Sequence, residues 1–358
     1  MNILYRCVLR PILFKCNADS VHELFISFGK FFGSFALSRW FFGLFYNYRG
    51  TDISKTVDGI TYRTPVLLAA GFDPDGHLMR ILLSFSFGGE EIGSITARPC
   101  RGNPRPHFVR LVRNKSIVVY KGLRNLGVDA LISKLSRLSA QAGISRNADF
   151  IVGISIARTN DETASADAES GISDYIESFK KLTSSGIGDY YAINISCPNA
   201  HTGETFTDPK LLAQLLPRLR EIHCTKPVYI KMPINIPWEQ FAELADIADK
   251  NSIEGLIIGN ANKKYEDLAH PEEAPKKFRG GLAGPPCFAL SNELIRKTRE
   301  RYGKRFTIIG VGGIMTPDDA MEKFAAGADL IQLITGMVFE GPGLIKDICK
   351  KYRDNMSS

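Results

Sequence analysis

Apolar positions along the chain follow two different rhythms. Between residues 20 and 35 they fall at Val21, Leu24, Phe25, Phe28, Phe31, Phe32 and Phe35, which is one face of a helix. His22, Glu23, Ser27, Lys30 and Ser34 take the other face. Ser20 and Glu23 have the spacing of a capping box, so the pattern predicts a helix that opens there. A second apolar helix, punctuated by Arg39, follows from Leu37 to Tyr46.

From about residue 60 the rhythm changes. Short β-branched or apolar runs at 66–70, 90–95, 150–156, 191–196, 228–232, 255–258, 307–310 and 330–333 read as strands. Helical patterns intervene near 75–85, 127–142, 172–185, 208–223, 237–250, 288–302 and 317–326, with a last one near 343–355. Eight strands alternating with helices predict an α/β protein, a parallel (β/α)8 barrel. A doubly wound open sheet is the rival, weakened because no G-x-G-x-x-G follows the first strand. The expected organisation is a helical segment over 1–48 and a barrel over 49–358.

Composition narrows the picture. The chain has 358 residues, 44% apolar and 23% charged, which is ordinary for a globular protein. A net charge of +7 is too small to argue for nucleic acid, and none is expected as a partner. The seven cysteines contain no C-x-x-C pair, which argues against a disulfide framework or a zinc site, and no metal is expected. No apolar run is long enough for a conventional transmembrane helix. Arg6 and Arg10 interrupt the first apolar stretch, and no small-residue cleavage site follows it, which argues against a cleaved signal peptide. Nine of the 22 phenylalanines lie before residue 49, joined by Trp40. Either a helical hairpin packs them on the main body, or they meet a membrane surface, with Lys and Arg at its edge.

Barrel chemistry sits at the carboxyl ends of the strands. Those ends carry Ala70-Gly71-Phe72-Asp73, Gly93-Ser94-Ile95-Thr96, Ser155, Asn194-Ile-Ser-Cys197-Pro-Asn199, Lys231, Gly259-Asn260, Gly310-Val-Gly312-Gly313 and Thr335-Gly336. Gly312-Gly313 and Thr335-Gly336, on successive strands, suit a phosphate, because glycine lets backbone N–H groups approach its oxygens. Each pair alone reads equally well as a tight turn. Lys231 ends an apolar run and either meets an anion in the barrel mouth or snorkels from the strand end. Cys197 is a base or nucleophile, or a small buried residue.

These motifs resemble the dihydroorotate dehydrogenases, and in layout the membrane-associated, quinone-using class 2 members. The residues that carry the resemblance are Leu68-Ala-Ala-Gly-Phe-Asp73, Glu91-Ile-Gly-Ser-Ile-Thr96, Gly102-Asn-Pro-Arg-Pro106, Asn194-Ile-Ser-Cys-Pro-Asn199, Gly280-Gly-Leu-Ala-Gly284, Ile309-Gly-Val-Gly-Gly-Ile314 and Gln332-Leu-Ile-Thr335. The resemblance implies an FMN barrel enzyme that oxidises dihydroorotate to orotate in pyrimidine biosynthesis. Electrons would pass to a quinone through residues 1–48, at the cytoplasmic face of the inner membrane. Ala70, Gly71, Ser94, Ser155, Asn194, Lys231, Gly284, Gly312, Gly313, Thr335 and Gly336 would hold FMN. Lys231 would stabilise the reduced flavin, and Cys197 would be the catalytic base. Asn194, Asn199 and Asn260 would hold the pyrimidine ring.

The departures are as specific. Class 2 members usually carry serine where Cys197 stands. The family's lysine after Gly-Phe-Asp is Pro74 here. Its Asn-Arg-x-Gly-Phe-Asn segment reads Val119-Tyr120-Lys121-Gly122-Leu123-Arg124, its Asn-Thr pair is Asn260-Ala261, and its Asn after strand three is Ser155. Either Lys121 or Arg124 replaces the lost cation, or the substrate has changed. An FMN oxidoreductase acting on another cyclic substrate, a tRNA-dihydrouridine reductase among them, is one rival. A non-catalytic, membrane-bound FMN-binding protein is another.

Overall fold

The computed structural model describes residues 2–141, 150–160, 167–197 and 205–356. Eight parallel strands close into a barrel: β1 (Val66–Leu68), β2 (Gly89–Ile95), β3 (Ile151–Ile156), β4 (Tyr190–Asn194), β5 (Val228–Met232), β6 (Gly255–Ile258), β7 (Thr307–Val311) and β8 (Leu330–Leu333). Each pairs with its sequence neighbours, and β8 returns to β1 through Ile331↔Val66. Helices follow the strands on the outside, as the alternating pattern predicts. The (β/α)8 barrel expected from the strand spacing is therefore the observed fold.

Both faces of these strands are covered, which is why they read as continuous apolar runs rather than alternating ones. One end of the barrel is closed by a hairpin that the sequence pattern did not reveal, Lys55–Val57 paired with Ile60–Tyr62. Tyr62 packs there with Leu67, Ile151, Tyr190, Tyr229 and Leu330. At the other end, a second unforeseen element flanks the mouth. It is an antiparallel sheet of Phe108–Leu111, Ser116–Val119 and Gly281–Ala283.

The N-terminal segment is helical. Asn2–Leu4 and a wider turn, Tyr5–Leu9, lead into α1 (Arg10–Lys15), followed by α2 (Ala18–Gly33) and α3 (Ala36–Tyr46). Helix α2 opens two residues before the predicted capping box. Its cap is Asn17, whose side chain accepts from the Ser20 N–H, and Glu23 instead pairs with Arg105. Asn17 wins because its carbonyl reaches an orphan donor of the first turn from outside the helix. Gly29 and Gly33 let α2 lie directly on Leu78 and Ile81, where a Cβ would collide or crowd. Arg10 donates to the Phe339 carbonyl and Arg110 to those of Leu13 and Cys16, tying the first helix to the barrel mouth. No helix among the described residues is long and apolar enough to cross a membrane.

Candidate active site

The strand ends converge on one cavity of about 390 Å³. Ala70, Gly71, Ser94, Asn194, Cys197, Lys231, Asn260, Gly284, Gly312, Gly313, Thr335 and Gly336 all line it, as do Lys121 and Arg124 from beside the antiparallel sheet. Ser155 does not. It lies wholly buried behind Ser94, and the two hydroxyls are hydrogen-bonded at 2.7 Å. Its hydroxyl meets Ser94 rather than the cavity. Asn199 lies outside the described residues.

The floor is polar and internally bonded. Asn194 donates its amide to Ser94 Oγ at 2.8 Å and accepts from the Ser196 N–H at 3.2 Å. Asn260 donates to the Ser196 carbonyl at 2.7 Å. Lys231 does meet an anion, but one from the chain itself: its ammonium lies 3.1 Å from Glu91 Oε1, with both side chains buried. The second Glu91 oxygen accepts from Gln332 Nε2 at 2.8 Å and from the Tyr190 hydroxyl at 3.3 Å. Three donors therefore keep a carboxylate inside the barrel, and that carboxylate keeps Lys231 aimed at the mouth. Strand position had not marked Glu91. Its signal was an acid in a fully buried strand, beside Ile92, which points to the opposite face.

Lys121 belongs to a different arrangement. Its ammonium donates to the Gly71 carbonyl at 3.1 Å and lies 5.7 Å from the Phe108 ring centre. Burial, aided by the neighbouring Arg124, lowers its pKa to about 8 despite the attraction of Asp75. A buried cation resting on a neutral carbonyl and a ring leaves room for an anionic ligand. Pro74 lines the same cavity and brings no donor.

Above the floor the lining turns apolar. Leu13, Phe14, Val21, Phe25 and Phe28 from the N-terminal helices face Leu78, Ile81 and Leu82 across one arm of the cavity. Two polar side chains sit there that sequence reasoning missed, His22 and Arg110. His22 lies 2.7 Å from the Phe72 carbonyl, and burial pulls its pKa down to about 4, so the ring is neutral at pH 7. Phe25 and Phe28 remain 40% and 43% exposed, so the arm reaches the outer surface.

A flavin mononucleotide suits this set of residues. Gly71 has φ +106°, and a Cβ there would point into open space, leaving backbone against which a flat ring can lie. Gly284, Gly312 and Gly313 likewise have positive φ, the conformation a backbone phosphate cradle requires. Asn194, Ser94 and Lys231 line the same cavity and would offer donors to such a ring.

Comparison with known proteins agrees with this geometry. The family model for dihydroorotate dehydrogenase matches residues 52–356. A quinone dihydroorotate dehydrogenase of Christiangramia forsetii is 33% identical over 97% of this chain and 98% of its own. One from Thermosynechococcus vestitus is 32% identical over 97% and 95%. In structure the chain is similar to dihydroorotate dehydrogenase from Eimeria tenella in complex with ferulenol. The TM-score is 0.76, with 23% identity over 90% of each chain. On the family model and these relatives, the chain belongs to the dihydroorotate dehydrogenase family.

Proposed function

We propose that the protein oxidises dihydroorotate to orotate with bound FMN and passes the electrons to a quinone. The observation that carries this reading is the two-part cavity. A polar floor with Cys197, Asn194, Asn260 and Lys121 is continuous with an apolar arm between Phe-rich helices. One end suits a charged heterocycle and the other a lipid-soluble acceptor.

The residues divide the work by chemistry. Lys121 pairs with the substrate carboxylate, with Arg124 adding positive potential at the rim. Asn194 and Asn260 present amides to the ring, their own positions fixed by Ser94 and Ser196. Cys197 removes the ring proton as a thiolate. FMN held there would supply the hydride acceptor. Glu91 holds Lys231 in place, where its positive charge would stabilise a reduced, electron-rich flavin. Neutral His22 and cationic Arg110 offer hydrogen bonds to a polar head group in an arm otherwise lined by carbon.

Residues 1–48 form the membrane-facing unit in this proposal. All but three of the large apolar side chains exposed among the described residues lie there, the exceptions being Val112, Leu126 and Met356. An apolar surface of that concentration suits peripheral insertion at a bilayer interface.

Anaerobic mixing with L-dihydroorotate tests the reading, with flavin bleaching as the signal. Bleaching that a short-chain quinone reverses is the expected result. A protein that binds FMN but does not bleach, and does not bind orotate, has a different substrate.

A further inference from the structure

The helix Pro317–Ala325, which follows β7, buries a lysine that the proposed chemistry does not use. Lys323 has no exposed surface. Its stem crosses Gly310 in β7, where any side chain would sit 2.7 Å from Lys323 Cγ. The strand has thus given up a side chain to admit the lysine. Its ammonium donates to Ser291 Oγ at 3.1 Å and Asn292 Oδ1 at 2.6 Å, and lies 5.2 Å from the Phe288 ring centre. None of these partners is an anion, and a buried ammonium without a counter-charge is costly.

The charged groups nearest to it do not supply one. Cys287, at the start of the adjoining helix, has its thiol pushed up to about 11 by burial, so it stays neutral. Asp319, one turn earlier on the same helix, spends its carboxylate on the backbone N–H groups of Met315 and Thr316. Strand β7 contributes only Gly310, and β6 only the Ile258 carbonyl that Ser291 engages.

One residue layer separates the lysine from the two-glycine turn. A Cβ on Gly312 would meet Cys287 Cβ at 2.8 Å, and one on Gly313 would run into Phe288. Gly312 and Gly313 form the cavity wall, Cys287 and Phe288 stand behind them, and Lys323 lies across Phe288. Phe288 also begins the helix Phe288–Tyr302, whose first turn carries the two oxygens that hold the ammonium.

We infer that Lys323 is a buried electrostatic anchor for the flavin phosphate, a positioning residue acting through the Gly312–Gly313 wall without touching the ligand. This rests on the FMN reading above. Burial lowers the lysine's pKa to about 7, so at neutral pH the flavin-free protein carries it only partly protonated. A phosphate dianion on the far side of the wall restores the proton.

Calorimetry of the full chain stripped of flavin tests this, with FMN compared against riboflavin, which lacks the phosphate. Titrations between pH 7 and 9 in buffers of different ionisation enthalpy should show net proton uptake with FMN and none with riboflavin. Lys323→Met keeps the stem and removes the charge. It should weaken FMN at least tenfold, leave riboflavin within about twofold and abolish the proton uptake. Equal losses for both flavins, or proton uptake that survives the substitution, would overturn the anchor. If the variant does not fold, the unmodified protein still decides: FMN binding without proton uptake rejects the anchor. Failure to bind either flavin would reject the FMN reading itself.

Discussion

The barrel strands and the N-terminal helices use the same kinds of side chain under opposite rules. Along β2, β4 and β5 every residue is buried, acids and lysine included. Along α2 and α3 the only buried residues are Asp19, Gly29, Gly33 and Gly43, while Phe31, Trp40 and Phe41, and Phe35 between the helices, are more than half exposed. The helices dock through small residues, with Phe32 and Phe42 packed against the core, and leave most of their other rings outside. In the barrel, polar groups earn their place by bonding to one another; Glu91 collects Lys231, Gln332 and Tyr190. The barrel hides its carbon from water, whereas these helices leave much of theirs exposed. The cavity is where the two rules meet.

If this division of labour is correct, damage to one side should spare the other. The largest effect belongs to Cys197→Ala. Flavin reduction by dihydroorotate should slow by about 10²–10⁴-fold, the range for a lost general base, with FMN content and vesicle binding unchanged. Stopped-flow absorbance and co-sedimentation measure the two sides. Turnover at the original rate would make the thiol a spectator.

The converse experiment is Trp40→Asp with Phe41→Asp. Two exposed aromatics are worth about 1.5–3 kcal/mol each on burial, so partition onto vesicles should fall by roughly 10²-fold or more. Bleaching by dihydroorotate in detergent-free buffer should not change. A double variant that sediments with vesicles as before would place the aromatic face against something other than lipid.

Lys121→Met should raise the orotate Kd at least tenfold, since a buried charge-assisted partner contributes about 2–5 kcal/mol. The pH dependence has a fixed sign. Lys121 loses its proton above about 8 in the free protein, whereas a bound carboxylate holds that proton to higher pH. The orotate Kd should therefore rise about tenfold per pH unit above ~8, and the Lys121→Met profile should be flat there. Spectral titration of the flavin reads both, and a steep profile in the variant would assign the titration to another group.

The smallest effect is Asn17→Ala. Loss of the cap should cost about 1 kcal/mol, seen as earlier urea-induced release of α2, with flavin reduction intact. No change in α2 stability would mean that packing on Leu78 and Ile81 alone holds the helix.

All eight barrel strands were legible in the sequence because strands covered on both faces leave uninterrupted apolar runs. The sheet at 108–119 and 281–283 was not, since its segments are short and Arg110 sits within one of them. The cap of α2 was misplaced because two residues three apart, Ser20 and Glu23, satisfy the capping pattern as well as Asn17 satisfies the geometry. Reading strand ends found most of the cavity wall. It could not find what holds that wall, because Glu91 and Lys231 are 140 positions apart. Nor could it distinguish Ser94 from Ser155, which differ only in which hydroxyl faces the cavity.

Phe25 and Phe28 belong at once to the cavity lining and to the exposed apolar surface. A ligand that enters between them from a bilayer is supplied from a thin two-dimensional reservoir rather than from bulk water. Its effective concentration is a mole fraction in lipid. Diluting a suspension of quinone-loaded vesicles would then leave the rate per bound enzyme unchanged, whereas adding empty lipid at constant total quinone would slow it. Dihydroorotate, arriving from the aqueous side, would obey ordinary molarity in the same cuvette.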